Sequence, residues 1–269
     1  MRHSIILLCW FFVLAGCEVS RSDFFPPGPT VDQNQAFQIA DPARKIVVIY
    51  NHGTARVDRP SACNKRDTPE IWRDLTGETI AGRTVYVYYL CSDVFGDDYI
   101  YHRAEEIEAA LDLFRAKGVP AAQLFLAGQS AGAWSSMVVA RKAPQKFNAI
   151  IATAPAFAGH WQGRSADLQA WQDFEISEIK KMTQMKALIY AFEGDAYNRP
   201  RDLVFLADIP GVDFETLSWR AINGTACESR PAKAHSTARR HCFTVTQMAR
   251  IKAYIAESVG RVAAVTSLK

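Results

Sequence analysis

The residues in this chain best suited to chemistry are Gly128-Gln129-Ser130-Ala131-Gly132. A serine hydroxyl is a weak nucleophile near neutral pH. It becomes effective when a base takes its proton and an acid orients that base. The serine follows an apolar run ending at Ala127 and precedes a helix-compatible run from Ala131, which puts it on a sharp strand-to-helix turn. The glycines on either side let strand and helix approach closely. With 15 Gly and 15 Ser in 269 residues, this spacing should arise by chance about 0.05 times, so coincidence is a poor explanation for it. The backbone N–H of Ala131 would open the following helix, where the helix dipole favours a developing oxyanion. The chemistry implied is acyl transfer through a covalent serine intermediate.

Such a turn needs a sheet to hold it. Residues 46–50, 84–90, 123–127, 149–154 and 187–192 read as buried strands, and 214–219 as a candidate sixth. Between them, residues 100–117 carry Ile107, Ala110, Leu111 and Phe114 at helical spacing and end at Gly118, while 131–142 and 245–259 predict two more helices. Strand–helix alternation predicts an α/β fold, with a mainly parallel sheet and helices on both faces. Function in such sheets sits on loops at the carboxyl ends of the strands, here those after residues 51, 90, 128, 154, 193 and 220.

From about residue 45 to 259 this arrangement resembles the α/β-hydrolase superfamily, in particular its dienelactone-hydrolase and esterase-like members. The resemblance implies the chain order Ser, then Asp or Glu, then His. The acid it implies is Asp195, in Phe192-Glu193-Gly194-Asp195 after a strand, with Glu193, Asp202 and Asp208 as substitutes. The base it implies is His241, in His241-Cys242-Phe243 before the last helix, with His235 as the rival. His160 precedes the acid, His102 suits a surface helix start, and His3 lies in the N-terminal segment. Asn51-His52-Gly53-Thr54 resembles the family's His-Gly element, which assigns the second oxyanion donor to Thr54 and a structural part to His52. The His-Gly-Gly-Gly form of many lipases is not present. The expectation is a carboxylic ester hydrolase needing no cofactor or metal. An inactive hydrolase-fold protein that binds a ligand or partner, or a peptidase or acyltransferase on the same fold, is the alternative.

The N-terminus is a separate unit. Met1, Arg2 and His3 precede a run from Ile5 to Leu14 that is nearly all apolar and too short to span a bilayer, followed by Leu14-Ala15-Gly16-Cys17. This resembles a signal peptide ending in a bacterial lipobox, with residues 1–16 removed and Cys17 acylated as a membrane anchor. An ordinary signal peptide cut near Ala15 is the other reading. Residues 17–36 then read as a lipidated tether, stiffened by Pro26, Pro27 and Pro29, and residues 37–269 as the hydrolase domain. Removing residues 1–16 takes away only Arg2, so the net charge goes from +3 to 3 − 1 = +2, and nothing in the charge pattern suggests nucleic acid.

Export places the remaining cysteines in an oxidising compartment, where four suggest two disulfides. The topology favours Cys63–Cys91, which follow neighbouring strands, and Cys227–Cys242, which bracket the histidine loop. Residues 156–184, with Phe157, Trp161, Trp171 and Phe174, form either a small cap lining an acyl pocket or a helix packed on the sheet. Arg56, Arg59, Lys65 and Arg66, with Arg230, Lys233, Arg239 and Arg240, would give a cationic mouth for anionic small-molecule, glycan or lipid esters if they are more than solvated loop.

Overall fold

Ile46, Val47, Val48 and Ile49 have no exposed surface, so their strand must be covered on both faces. The computed structural model, which describes residues 23–25, 37–54, 68–96, 98–227 and 230–266, places them in β2 (Lys45–Asn51) at the centre of a sheet. β2 pairs in parallel with β4 (Arg83–Leu90) on one side and β5 (Leu124–Gln129) on the other. β6 (Ala149–Thr153), β7 (Ala187–Phe192) and β8 (Val212–Leu217) continue the parallel ladder. Two short strands, β1 (Asp23–Phe25) and β3 (Thr79–Ile80), join β4 antiparallel, giving the order β1-β4-β2-β5-β6-β7-β8 with β3 also on β4.

Alternation along each strand divides the interior into two cores. Val47 and Ile49 face the layer of α2 (Tyr99–Ala116), α3 (Ala131–Lys142) and part of α4 (Ala166–Lys180). Ile46, Val48 and Tyr50 face α1 (Glu70–Leu75) and α6 (His241–Thr266). α5 (Pro200–Leu203) is a single turn. Because the chain leaves β2 towards β4 and returns on the far side as β5, the order reverses at β2. Asn51-His52-Gly53 and Ser130 lie at this reversal, at the carboxyl ends of β2 and β5, the place where open sheets of this kind bind ligands.

Two elements differ from the sequence reading. Asp23–Phe25, expected inside an unstructured tether, adds an edge strand, and Phe24 is buried against Phe37, Tyr86, Tyr88 and Phe114. The strand gains backbone partners on β4, which a reading of the segment in isolation does not offer. The sixth strand begins at Val212 rather than 214, because Gly211 (φ 90°) turns the chain into the sheet, and Trp219 falls beyond the strand. Of the two readings of residues 156–184, the packed helix is the one found: residues 166–180 form α4, held against α3 by Glu175, which accepts from Tyr101 Oη (2.6 Å) and Trp134 Nε1 (3.4 Å). Residues 1–16 and Cys17 lie outside the described residues, as does the rest of the tether apart from β1. Among the described residues no helix is long and apolar enough to cross a membrane.

Candidate active site

β5 ends and α3 begins within one residue, and that residue is Ser130, at φ 54° and ψ −121°. A non-glycine residue there is strained by about 1–3 kcal/mol and persists only where the surroundings enforce it. They do so through three backbone hydrogen bonds. Ser130 N–H donates to Thr153 O (3.0 Å), and Ser130 O accepts from Trp134 N–H (3.1 Å) and Ala156 N–H (3.3 Å). The flanking glycines are steric requirements: a Cβ on Gly128 would lie 2.5 Å from Ala133 Cα, and one on Gly132 would lie 2.6 Å from His52 O.

The strained turn points the hydroxyl at an imidazole from a distant part of the chain. Ser130 Oγ and His235 Nε2 are 2.8 Å apart, and His235 Nδ1 is 2.8 Å from Asp195 Oδ2. Asp195 follows β7, is 2% exposed, and accepts at its other oxygen from Tyr197 N–H (2.8 Å), so both carboxylate oxygens are engaged. With Asp195 accepting at Nδ1–H, His235 presents an unprotonated Nε2 to the serine. The Tyr197 ring lies against His235 with centroids 4.1 Å apart, and the His160 ring meets Tyr197 at 4.2 Å, tilted by 60°.

The sequence expectation for the base therefore needs correction. His241 is not in this row. It is the first residue of α6, its side chain is 72% exposed, and its Nδ1 pairs with Glu70 Oε1 at 2.7 Å. The imidazole beside Ser130 is the rival, His235, carried on the 3-10 segment Pro231–Arg239 just before α6. The substitutes for Asp195 are elsewhere: Asp202 pairs with Arg199, and Glu193 and Asp208 are exposed. His102 is exposed beside Glu105.

The loop carrying His235 is fixed at both ends. Cys227 and Cys242 form a disulfide with Cα atoms 5.2 Å apart, closing the segment that contains the histidine. A loop of about 15 residues closed this way gains roughly 3 kcal/mol in the chain-entropy picture. Within it, Ala234 and Thr237 are fully buried and Thr237 Oγ1 donates to Ala234 O (2.8 Å). Cys91 is also disulfide-bonded, and its expected partner Cys63 lies outside the described residues.

The loop after β6 is stitched to the acid loop. Asn198 Nδ2 donates to Pro155 O (2.9 Å), Trp161 N–H to Ala196 O (3.0 Å), and Arg164 Nη2 to Tyr197 O (2.9 Å). The aromatics expected over a pocket divide accordingly. Phe157 packs inward between Trp134 and Trp171, Trp161 lies under Arg199, and Phe174 is exposed. Of the basic residues expected at the mouth, Arg56, Arg59, Lys65 and Arg66 fall outside the described residues, while Lys233 and Arg239 are exposed beside the His235 turn.

The loop after β2 also approaches Ser130. A Cβ on Gly53 would be 3.4 Å from Ser130 Cβ and 3.9 Å from its Oγ, so the Gly53–Thr54 peptide borders the hydroxyl. No acceptor among the described residues engages the N–H of Thr54 or of Ala131.

Neither a protein-family model nor a curated protein matches the sequence. Solved structures do match in shape. The peroxisomal alpha-beta-hydrolase Lpx1 of Saccharomyces cerevisiae superposes with a TM-score of 0.53 at 13% identity, over 88% of this chain and 87% of that one. This chain has the α/β-hydrolase fold. Est1E of Butyrivibrio proteoclasticus (TM-score 0.52, 13% identity, 91% and 100% covered) and the sugar hydrolase YeeB of Lactococcus lactis (0.53, 14%, 93% and 100%) share it. Ser130 on the turn after β5, Asp195 on the loop after β7 and His235 on the turn before α6 meet at one end of this sheet.

Two neighbours of the site were not singled out in the sequence. Tyr197 follows the acid by two residues, but nothing in its type distinguishes it from other loop tyrosines. Arg103 sits at a helical core position, three residues after Ile100 and four before Ile107, and that misplaced charge was a readable signal.

Proposed function

We propose that the protein is a serine hydrolase that cleaves carboxylic esters through an acyl-enzyme, with Ser130 as nucleophile, His235 as general base and acid, and Asp195 as the orienting carboxylate. The observation that carries this reading is the unbroken row Ser130 Oγ–His235 Nε2–His235 Nδ1–Asp195 Oδ2, with 2.8 Å at each link, built on a serine of strained backbone. His235 Nε2 takes the Ser130 proton as Oγ attacks the ester carbon. The tetrahedral oxyanion accepts from the N–H groups of Ala131 and Thr54, and His235 returns the proton to the departing alkoxide. Water, deprotonated by the same nitrogen, then releases the acid and restores Ser130. Asp195 keeps the Nδ1 proton in place and stabilises the transient imidazolium.

Support also comes from the neighbours in shape, among them an α/β-hydrolase and a sugar hydrolase. A fluorophosphonate probe is expected to label the wild-type protein, and Ser130→Ala should abolish labelling together with hydrolysis of p-nitrophenyl acetate. Labelling that survives in Ser130→Ala would place the nucleophile elsewhere.

We further propose that the chain is an exported lipoprotein held on a membrane through acylated Cys17, on the strength of Leu14-Ala15-Gly16-Cys17 after a short apolar run. In a bacterial host fed radiolabelled palmitate, the wild type should incorporate label and sediment with membranes, while Cys17→Ser should do neither. Equal incorporation by both would remove the anchor.

A further inference from the structure

Taking a guanidinium out of water costs several kcal/mol unless hydrogen bonds at its N–H groups offset it. Arg103, on α2, is 2% exposed, and its fork reaches two backbone carbonyls on the loop after β2 rather than a carboxylate. Nη1 donates to Gly53 O (3.0 Å) and Nη2 to His52 O (2.5 Å). Gly53 O receives a second donor, His52 Nδ1–H, at 2.7 Å. The tautomer is settled by the other ring nitrogen, because His52 Nε2 accepts from Ser92 N–H at 3.1 Å, which leaves the proton on Nδ1. The imidazole is stacked on Tyr89, and burial followed by the nearby Arg103 charge lowers its pKa to about 3, so it stays neutral.

The carbonyl these two side chains grip belongs to the peptide whose N–H is Thr54. In a trans peptide the C=O and N–H point in opposite directions. Anchoring Gly53 O towards Arg103 and His52 therefore turns the Thr54 N–H away from them, in the unit that borders Ser130 and without an acceptor among the described residues. Two donors on the carbonyl also polarise the amide and strengthen its N–H as a donor. We propose that Arg103 and His52 are positioning residues that aim the Thr54 N–H at the reaction oxyanion. This inference rests on the serine-hydrolase reading of the same site. Both act through the peptide and neither touches the substrate. The Thr54 hydroxyl, 3.4 Å from Tyr99 Oη, is a further brace on the same residue, since Tyr99 Oη itself donates to Phe157 O at 2.8 Å.

The test compares Arg103→Met and Arg103→Lys, and separately His52→Leu and His52→Asn, with each rate expressed per active site titrated with fluorophosphonate. Asn can still donate towards Gly53 O from the position of Nδ1, whereas Leu cannot. For p-nitrophenyl acetate, Arg103→Met and His52→Leu are expected to lower kcat roughly 10- to 100-fold with KM nearly unchanged, a part of the effect of deleting an oxyanion donor outright. Phenylboronic acid, which forms a tetrahedral anionic adduct on the serine, should lose affinity by the same factor in each variant. Arg103→Lys and His52→Asn should recover part of both losses. A purely structural role would instead lower the titratable fraction and the melting temperature while leaving kcat and boronate affinity per site unchanged, and that result overturns the inference. If the Met variant does not fold, the His52 pair and Arg103→Lys decide the matter by the same two readouts. Wild-type protein that neither reacts with fluorophosphonate nor turns over the ester would defeat the hydrolase reading itself. Normal wild-type turnover with unaffected variants defeats only the assignment of Arg103 and His52.

Discussion

His235→Ala is expected to lower kcat for p-nitrophenyl acetate by about 10⁴-fold or more, whereas His241→Ala should remain within about twofold of the wild type. The two histidines are six residues apart, both follow Asp195 in the chain, and both flank the turn into α6, so sequence order alone does not choose between them. Geometry does. The His235 side chain is 16% exposed and bonded to Ser130 on one edge and to a fully enclosed carboxylate on the other. Deleting it leaves Ser130 without a proton acceptor in reach and should reduce kcat with little change in KM, since the imidazole acts in the transition state. His241 lies in solvent with Glu70, an arrangement worth about 0–1 kcal/mol at most, so its removal should be silent in both rate and melting temperature. The reverse outcome, in which His235→Ala keeps its rate and His241→Ala loses it, would mean that the His235–Ser130 contact is not the working one.

Five strands, the helix at 100–117 and the elbow helix could be read from the chain because each buries an apolar face at the period of its own geometry. Ile46 to Tyr50 is apolar at every position because β2 is covered on both sides, and such runs need no context to interpret. For α4 the sequence left a cap and a packed helix both open. Its buried positions include Gln172 and Glu175, while Leu168 and Phe174 face solvent, so its hydrophobic pattern is nearly inverted. Glu175 is tolerated inside because Tyr101, Trp134 and Arg141 surround it. Those partners come from two other helices and leave no trace in the local sequence. β1 escaped for a similar reason: its three residues are stabilised by pairing with β4 and by the burial of Phe24 against Phe37 and Phe114, all distant in the sequence.

The candidate site divides along the same line. Ser130 and Asp195 were legible because a strand end and a sharp turn fix where such residues stand. The choice between His235 and His241 depends on how a disulfide-closed turn folds back, which is a long-range property. His241 loses because α6 already starts there and carries the residue out towards Glu70 on α1. The closure by Cys227–Cys242 was foreseen, and the segment it closes contains both histidines, with His235 near its middle.

The same substitution in two helices should have opposite effects, and this tests the packing that supports the elbow. By helix propensity, Gly→Ala in a helix interior stabilises by about 1 kcal/mol. Gly260, on α6, has nothing within 4 Å of the place its Cβ would take, so Gly260→Ala should follow that rule and raise the melting temperature slightly. Gly132, in the first turn of α3, would put a Cβ 2.6 Å from both Asn51 C and His52 O, well inside van der Waals contact. Neither atom can retreat easily: Asn51 is the last residue of the central strand, paired with Gly128 and Leu90, and His52 O is held by Arg103. Gly132→Ala is therefore expected to cost about 3 kcal/mol or more, as overpacking against backbone does. In a chain of this size that amounts to roughly 10 °C in Tm. Whatever folded protein remains should also lose kcat, because relief of the clash must push the β2 loop, and with it the Thr54 N–H, away from Ser130. Thermal melts and ester hydrolysis per titrated site check both halves. A Gly132→Ala protein that melts within 2 °C of the wild type at full activity would show that strand and helix are not in the close contact on which the placement of Ser130 depends.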